Sequence, residues 1–320
     1  MDDMLELIKS FPNQIEEGYS LGEGVKLRPF KNIVVTGMGG SGLPSYLLKT
    51  YLTSKILIFS NRDYELPPII DKDWLVVAIS YSGNTEETLA AFEDARKRKC
   101  PILGITSGGK LHDLCRKYNY PYVLIPGKFP PRAAVGYLLF PILRVLAENK
   151  VILNPAKDIK STVSFLKKSN IENDAMKLAS KLKGKIPLIY ASEKFGVVAY
   201  RWKTQFNENT KIHAFSHTFS EMNHNEIEGF ESKLAEFMPI FLEDDKDNKR
   251  IIKRMRIIKK LLEGKGYESI EIKFKGNSLL EKMCWGMHLG DLTSYYLAKE
   301  YGVDPIEVEL IENLKKELAK

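Results

Sequence analysis

Short apolar runs alternate with segments of helical periodicity through the first half of the chain, and the pattern then begins again. The runs Asn32–Thr36, Lys55–Ser60, Trp74–Ile79, Pro101–Thr106 and Tyr122–Ile125 are near-continuous in apolar residues, as strands buried on both faces are. Between them, Leu43–Tyr51, Glu86–Lys99 and Leu111–Lys117 carry helical spacing, and a long helix is expected from Arg132 to about Asn149. Residues 1–19 read as one amphipathic helix broken by Pro12. Strand alternating with helix means a parallel sheet covered on both sides.

Pro155 marks a linker, and residues 160–183 read as one charged helix. The alternation then resumes. Strands are expected at Ile186–Ser192, Phe237–Leu242 and Ser269–Phe274. Helices are expected at about 194–206, 246–265 and 278–301, with a last one from about 306. His213 and His217 fall on irregular or extended chain and read as surface residues. The fold class is therefore α/β, with two tandem parallel-sheet units, 1–152 and 153–320.

Bulk properties narrow the partners. The 320 residues are 44% hydrophobic and 28% charged, with a net charge of +7. Lysines such as Lys97, Lys99, Lys167, Lys168, Lys259 and Lys260 are scattered, and no basic stripe carries interleaved aromatics, so nucleic acid is not an expected partner. The excess of positive charge suits an anionic small substrate. Cys100, Cys115 and Cys284 lie too far apart for a redox or metal motif, which fits a reducing cytoplasm. Met1-Asp2-Asp3 lacks a basic leader, and Ala133–Leu143 is too short to span a bilayer, so no membrane association is expected. The Lys, Glu and Ile content hints at growth at high temperature.

Two loops carry candidate chemistry. Ser80-Tyr81-Ser82-Gly83-Asn84-Thr85 joins an apolar strand to a helix that starts with Glu86-Glu87. A helix start offers unpaired N–H groups and a positive dipole end, and Ser80, Ser82 and Thr85 add three hydroxyls. A plain N-cap needs only one hydroxyl, so a phosphate cradle is the stronger reading. The second loop, Gly37-x-Gly39-x-x-Gly42, matches a dinucleotide fingerprint, with Asp63 at about the right distance for a ribose and Asn61-Arg62 suited to a 2′-phosphate. A nicotinamide-dependent oxidoreductase is thus a rival, but it leaves the hydroxyl loop unexplained. A P-loop fails, because no Gly-Lys-Ser/Thr follows the glycines.

Together, Gly39-Gly40-Ser41-Gly42 and Ser80–Thr85 resemble the phosphosugar loops of the sugar isomerase (SIS) domain. Pro130-Pro131-Arg132, Phe206-Asn207-Glu208-Asn209 and Glu221-Met222-Asn223-His224-Asn225-Glu226 are similar to segments of the bifunctional phosphoglucose/phosphomannose isomerases. The resemblance implies two tandem SIS domains and interconversion of glucose 6-phosphate, and mannose 6-phosphate, with fructose 6-phosphate through a cis-enediol. It implies no cofactor and no metal, and the sequence offers no metal constellation. Phosphate contacts would come from Gly40, Ser41, Ser80, Ser82 and Thr85.

The same resemblance makes Glu208 the C1/C2 base. A carboxylate at a helix C-terminus opposes the dipole, which independently suggests function. His224, between two asparagines, would be the ring-opening acid/base, supplied to the neighbouring subunit's site in a homodimer with shared active sites. Arg132, fixed behind two prolines, would stabilise the enediolate. Lys315 would be the active-site lysine of the last helix, with Lys299 as alternative. Ile306-Glu307 stand where the family carries Thr-Pro, implicated in accepting mannose 6-phosphate. A sugar-phosphate-sensing regulator on the same domain is the other alternative. The roughly thirty residues before the first strand are too few for a DNA-binding output module.

Overall fold

The computed structural model describes residues 3–52 and 56–318. Met1 and Asp2, and Lys55 at the start of the expected second strand, lie outside the described residues. Two compact units result, one of Lys9–Lys168 with Ser278–Leu280, the other of Ser169–Asn277 and the residues from Glu281 onward together with the N-terminal residues up to Ile8.

The first unit is a five-stranded parallel sheet in the order β2-β1-β3-β4-β5. Its strands are β1 Asn32–Thr36, β2 Ile58–Asn61, β3 Trp74–Ile79, β4 Ile102–Thr106 and β5 Tyr122–Leu124. Every residue of β3 and β4 is buried, as their continuous apolar character requires. Helix α1, Asp3–Lys9, belongs but for Lys9 to the second unit, and α2 is Phe11–Leu21, with Pro12 in its first turn, where a missing N–H costs nothing. Helices α3 Leu43–Tyr51, α4 Glu86–Lys97, α5 Gly109–Lys117 and α6 Val135–Glu148 follow their strands or close the unit. One core layer joins Val34, Val76, Ala78 and Ile102 of the sheet to Phe92 of α4 and Leu111 of α5. The expected single helix over 160–183 is two, α7 Ala156–Lys168 and α8 Ile171–Leu182, broken at Ser169-Asn170. Asn170 is an N-cap type of residue, and it starts α8.

The second unit is a four-stranded parallel sheet in the order β7-β6-β8-β9. The strands are β6 Ile186–Ser192, β7 Phe215–Phe219, β8 Phe237–Glu243 and β9 Ile270–Lys273. Strand β7 was not expected. Its sequence, Phe-Ser-His-Thr-Phe, has polar residues at its centre because it is an edge strand paired only with β6. His217 therefore sits on an extended edge strand, with about a third of its side chain (34%) exposed. Helices α9 Gly196–Gln205, α10 Lys249–Gly264, the 23-residue α11 Leu279–Tyr301 and α12 Glu309–Leu318 complete the unit. Tyr190, Phe219, Phe241, Met255 and Leu262 form its core on the α10 side. No helix among the described residues is long and apolar enough to cross a membrane.

Candidate active site

In an open parallel sheet, ligands bind beyond the carboxyl ends of the strands, where the strand order reverses. In the first unit that point lies between β1 and β3, whose outgoing loops are the glycine loop and the hydroxyl loop. The two loops are tied directly. Ser41, buried in the 3₁₀ turn Gly39–Gly42, accepts a hydrogen bond at Oγ from the Tyr81 N–H at 3.2 Å.

Ser80 is fully buried at the end of β3, and its Oγ lies 2.9 Å from Thr85 Oγ1. It also accepts from the Thr85 N–H at 3.3 Å, and Ser82 Oγ accepts from the Asn84 N–H at 3.3 Å. Thr85 holds the N-cap position of α4 in extended backbone, but its hydroxyl makes no cap bond to the helix. The capping alternative raised by the sequence therefore does not account for it. Gly83 has φ +72°, and a Cβ there would stand 1.8 Å from the Gly108 carbonyl oxygen. The hydroxyl loop is thus pressed against the loop after β4, where Asn84 Oδ1 also accepts from the Lys110 N–H at 3.1 Å.

Arg132 comes to the same place. It is buried in the 3₁₀ turn Pro131–Ala133, and a Cβ on Gly40 would lie 2.9 Å from the Pro131 carbonyl oxygen and 3.2 Å from Arg132 Cα. Only a glycine at position 40 lets the two turns meet. The preceding segment is held by Tyr81, a residue the sequence reading passed over. Its phenol donates to the Pro126 carbonyl at 2.8 Å and accepts from the Phe129 N–H at 2.9 Å. Gly40, Ser41, Ser80, Ser82, Thr85 and Arg132 are therefore gathered around one switch point.

Glu208, His224 and Lys315 belong to the second unit. Glu208 is half-buried on a π-helical turn, Phe206–Thr210, that extends α9 and ends at Lys211 in the left-handed region at φ 62°. That turn is clamped from below. Asn209 Nδ2 donates to Ser294 Oγ at 2.9 Å, and Thr210 Oγ1 donates to the Ser294 carbonyl at 2.7 Å. Ser294 in turn donates to the Asp291 carbonyl at 2.7 Å, and Asp291 is paired with buried Arg201 at 2.6 Å. Burial pushes the Asp291 carboxyl up to about 6, with Arg201 opposing it. Lys211 Nζ caps the turn at the Glu208 carbonyl and reaches the Glu307 carbonyl at 2.5 Å. The two asparagines beside Glu208 direct their amides elsewhere, Asn207 to the Ile212 carbonyl at 2.9 Å. Such clamps have no periodic signature, so only the structure reveals them.

His224 ends the 3₁₀ turn Glu221–His224 and is exposed. Its neighbours are pinned. Arg254 Nη1 donates to Asn223 Oδ1 at 3.2 Å, Asn225 Nδ2 donates to Glu221 Oε1 at 2.8 Å, and the Tyr190 hydroxyl donates to Glu226 Oε1 at 2.7 Å. His217 Nδ1 lies 3.6 Å from Glu226 Oε2. Lys315 lies on α12, a helix with no buried residue, and Lys299 is exposed near the end of α11. Among the described residues, no group of three His, Cys, Asp or Glu could hold a metal ion.

The model of the SIS domain matches residues 26–117, and that of the bacterial phospho-glucose isomerase C-terminal SIS domain matches residues 171–318. The fold and loops are thus those of a tandem SIS protein. A bifunctional phosphoglucose/phosphomannose isomerase of Caldicellulosiruptor bescii is 39% identical, over 99% of both chains. One of Aquifex aeolicus is 37% identical, over 100% of this chain and 99% of its own. The chain belongs to the bifunctional phosphoglucose/phosphomannose isomerase family. Among solved structures, the C-terminal domain of glucosamine-fructose-6-phosphate aminotransferase from Francisella tularensis has the same fold. Its TM-score is 0.74 at 13% identity, covering 95% of this chain and 98% of that one.

Proposed function

We infer that the protein is an aldose–ketose isomerase interconverting glucose 6-phosphate and mannose 6-phosphate with fructose 6-phosphate through a cis-enediol. The observation that carries the geometric side is the Thr85 hydroxyl, which sits at a helix start beside Ser80 and Ser82 and leaves that helix uncapped. Hydroxyls and amide N–H groups at a helix start suit a phosphate dianion. Gly40, Ser41, Ser80, Ser82 and Thr85 are the proposed phosphate contacts.

Glu208 is the proposed base that moves a proton between C1 and C2. A general base must be held firmly, and the clamp at Ser294 supports that role. Arg132 offers a fixed cation to the developing enediolate oxygens. The partner subunit's His224 opens the sugar ring, and Lys315 assists from α12. A homodimer is supported by α12 itself, where Leu310, Leu314 and Leu318 form an i, i+4, i+8 ridge that is 60–86% exposed. An apolar ridge of that kind marks an interaction surface. The buried free cysteines fit a cytoplasmic location.

Purified, chelator-treated protein given fructose 6-phosphate without nucleotide tests the reading. Glucose 6-phosphate should appear, whereas turnover only on adding NAD(P) would turn the case to an oxidoreductase. No turnover with binding retained would mean a regulator.

A further inference from the structure

The second unit repeats the topology of the first. Its order β7-β6-β8-β9 parallels β2-β1-β3-β4, so β6 stands for β1 and β8 for β3. A 3₁₀ turn follows both β1 and β6, Gly39–Gly42 in one and Glu193–Phe195 in the other. Ser80 is the first residue after β3, and Asp244 is the first after β8. A switch point therefore exists in the second unit as well, and its chemistry is different.

Where the first unit collects hydroxyls, the second collects an ion cluster. Asp244 Oδ2 pairs with Lys194 Nζ at 2.7 Å, and its Oδ1 pairs with Lys282 Nζ and accepts from the Lys246 N–H at 3.1 Å. Lys194, on the 3₁₀ turn after β6, also pairs with Asp247 at 2.8 Å. Lys282 sits in the first turns of α11, after β9. The side chains of Asp244, Lys282 and Asp247 are 3%, 8% and 5% exposed and that of Lys194 33%, so the cluster is interior except for one lysine at its edge. Asp247 Oδ2 of the cluster is buried without a hydrogen-bond partner, and so is Ser192 Oγ at the end of β6. Burial pushes the Asp244 carboxyl up, but hydrogen bonds from Lys194 and Lys282 outweigh it and hold it below the usual range. Two lysines against two aspartates leave no net charge for an incoming dianion.

We propose that this cluster is a second anion cradle filled from within, the Asp244 carboxylate lying between Lys194 and Lys282 where the first unit leaves room for a phosphate. The chain would then hold one phosphosugar per subunit, because its second cradle carries its own small oxyanion. The comparison rests on reading the hydroxyl loop as a phosphate site, but the cluster can be tested without it. Removing the Asp244 carboxylate strips Lys282 of its partner and leaves Lys194 with Asp247 alone, a net positive charge around a space the size of formate or acetate, and such a gap takes an exogenous oxyanion. A buried charge stripped of its partner is strongly destabilising, so refilling the gap shows directly as stability.

The test is thermal unfolding of wild type, Asp244→Ala, Asp244→Ser and the exposed control Asp245→Ala, in formate or acetate against chloride at equal ionic strength. Asp244→Ala should lose Tm in chloride and regain roughly 5 °C or more in formate, saturably, while wild type and Asp245→Ala respond to neither carboxylate. Asp244→Ser, which intrudes less on the fold, should show the same formate response on a smaller loss. If formate stabilises neither Asp244 variant more than wild type, or neither folds even with formate present, the filled cradle is wrong. The phosphate-loop reading has its own readout, the KM for fructose 6-phosphate, so either can fail while the other stands.

Discussion

Gly83→Ala isolates the hydroxyl loop from everything else in the protein. A Cβ at this position would lie 1.8 Å from the Gly108 carbonyl oxygen, and ordinary contact begins near 3.4 Å, so one loop must move by 3.4 − 1.8 = 1.6 Å. Ser82 and Thr85 flank the residue and move with it. A hydrogen bond of about 2.8 Å does not survive a shift of that size. Each bond to a charged group contributes about 1.5–3 kcal/mol, so losing two costs about 3–6 kcal/mol, or roughly two to four decades in KM. Backbone strain adds about 1–2 kcal/mol to the folding cost, because an alanine at φ +72° is left-handed. Gly24→Ala provides the control, since φ there is +76° and nothing lies within 4 Å of the added carbon. Steady-state assay with fructose 6-phosphate should show a large KM increase for Gly83→Ala and none for Gly24→Ala, with both losing some Tm. Equal KM values in the two variants would refute the loop as the phosphate anchor.

Glu208→Gln keeps the shape and removes the basic lone pair. Its kcat should fall by about two to four decades with KM little changed, and retention of more than about a tenth of the rate would send the search to another base. Mixing Glu208→Gln with His224→Ala subunits under demonstrated exchange should restore part of the activity, because one site of each heterodimer inherits both intact residues. No restoration would place His224 in its own subunit's site. His288 is buried on α11, and burial holds its imidazole down at about 4, below the ordinary 6.5. A depressed histidine keeps its stability above the unfolded value and loses it as pH falls from 6.5 towards 4. The loss is about 1.36 × 2.5, or about 3 kcal/mol, and it should be absent in His288→Gln. Urea midpoints between pH 7 and 4 measure it, and parallel profiles for the two proteins would contradict it.

The parts of the fold that announce themselves are those buried on both faces. Strands β1, β3 and β6 begin and end where the apolar runs do, since a strand inside a doubly covered sheet has no polar alternative. Strand β7 hid because an edge strand can carry serine, histidine and threonine. The hydroxyl and glycine loops are legible because their residues are contiguous and their backbone demands are local. The π-turn under Glu208 is not, because it depends on Ser294, some 85 positions further on. The same holds for the Asp244 cluster, whose lysines come from the turn after β6 and the start of α11 and carry no motif.

Isomerisation through an enediol exposes the migrating hydrogen to solvent, and that exchange is the most direct test of the chemistry. Fructose 6-phosphate incubated with chelator-treated protein in D₂O, followed by proton NMR, should yield glucose 6-phosphate carrying deuterium at C2. The Glu208→Gln protein should give neither the product nor the exchange at a comparable rate. Because one base can return the same proton before it exchanges, the label is followed over many reversible turnovers, and glucose 6-phosphate still free of deuterium at C2 after them would contradict a proton transfer by a carboxylate at position 208.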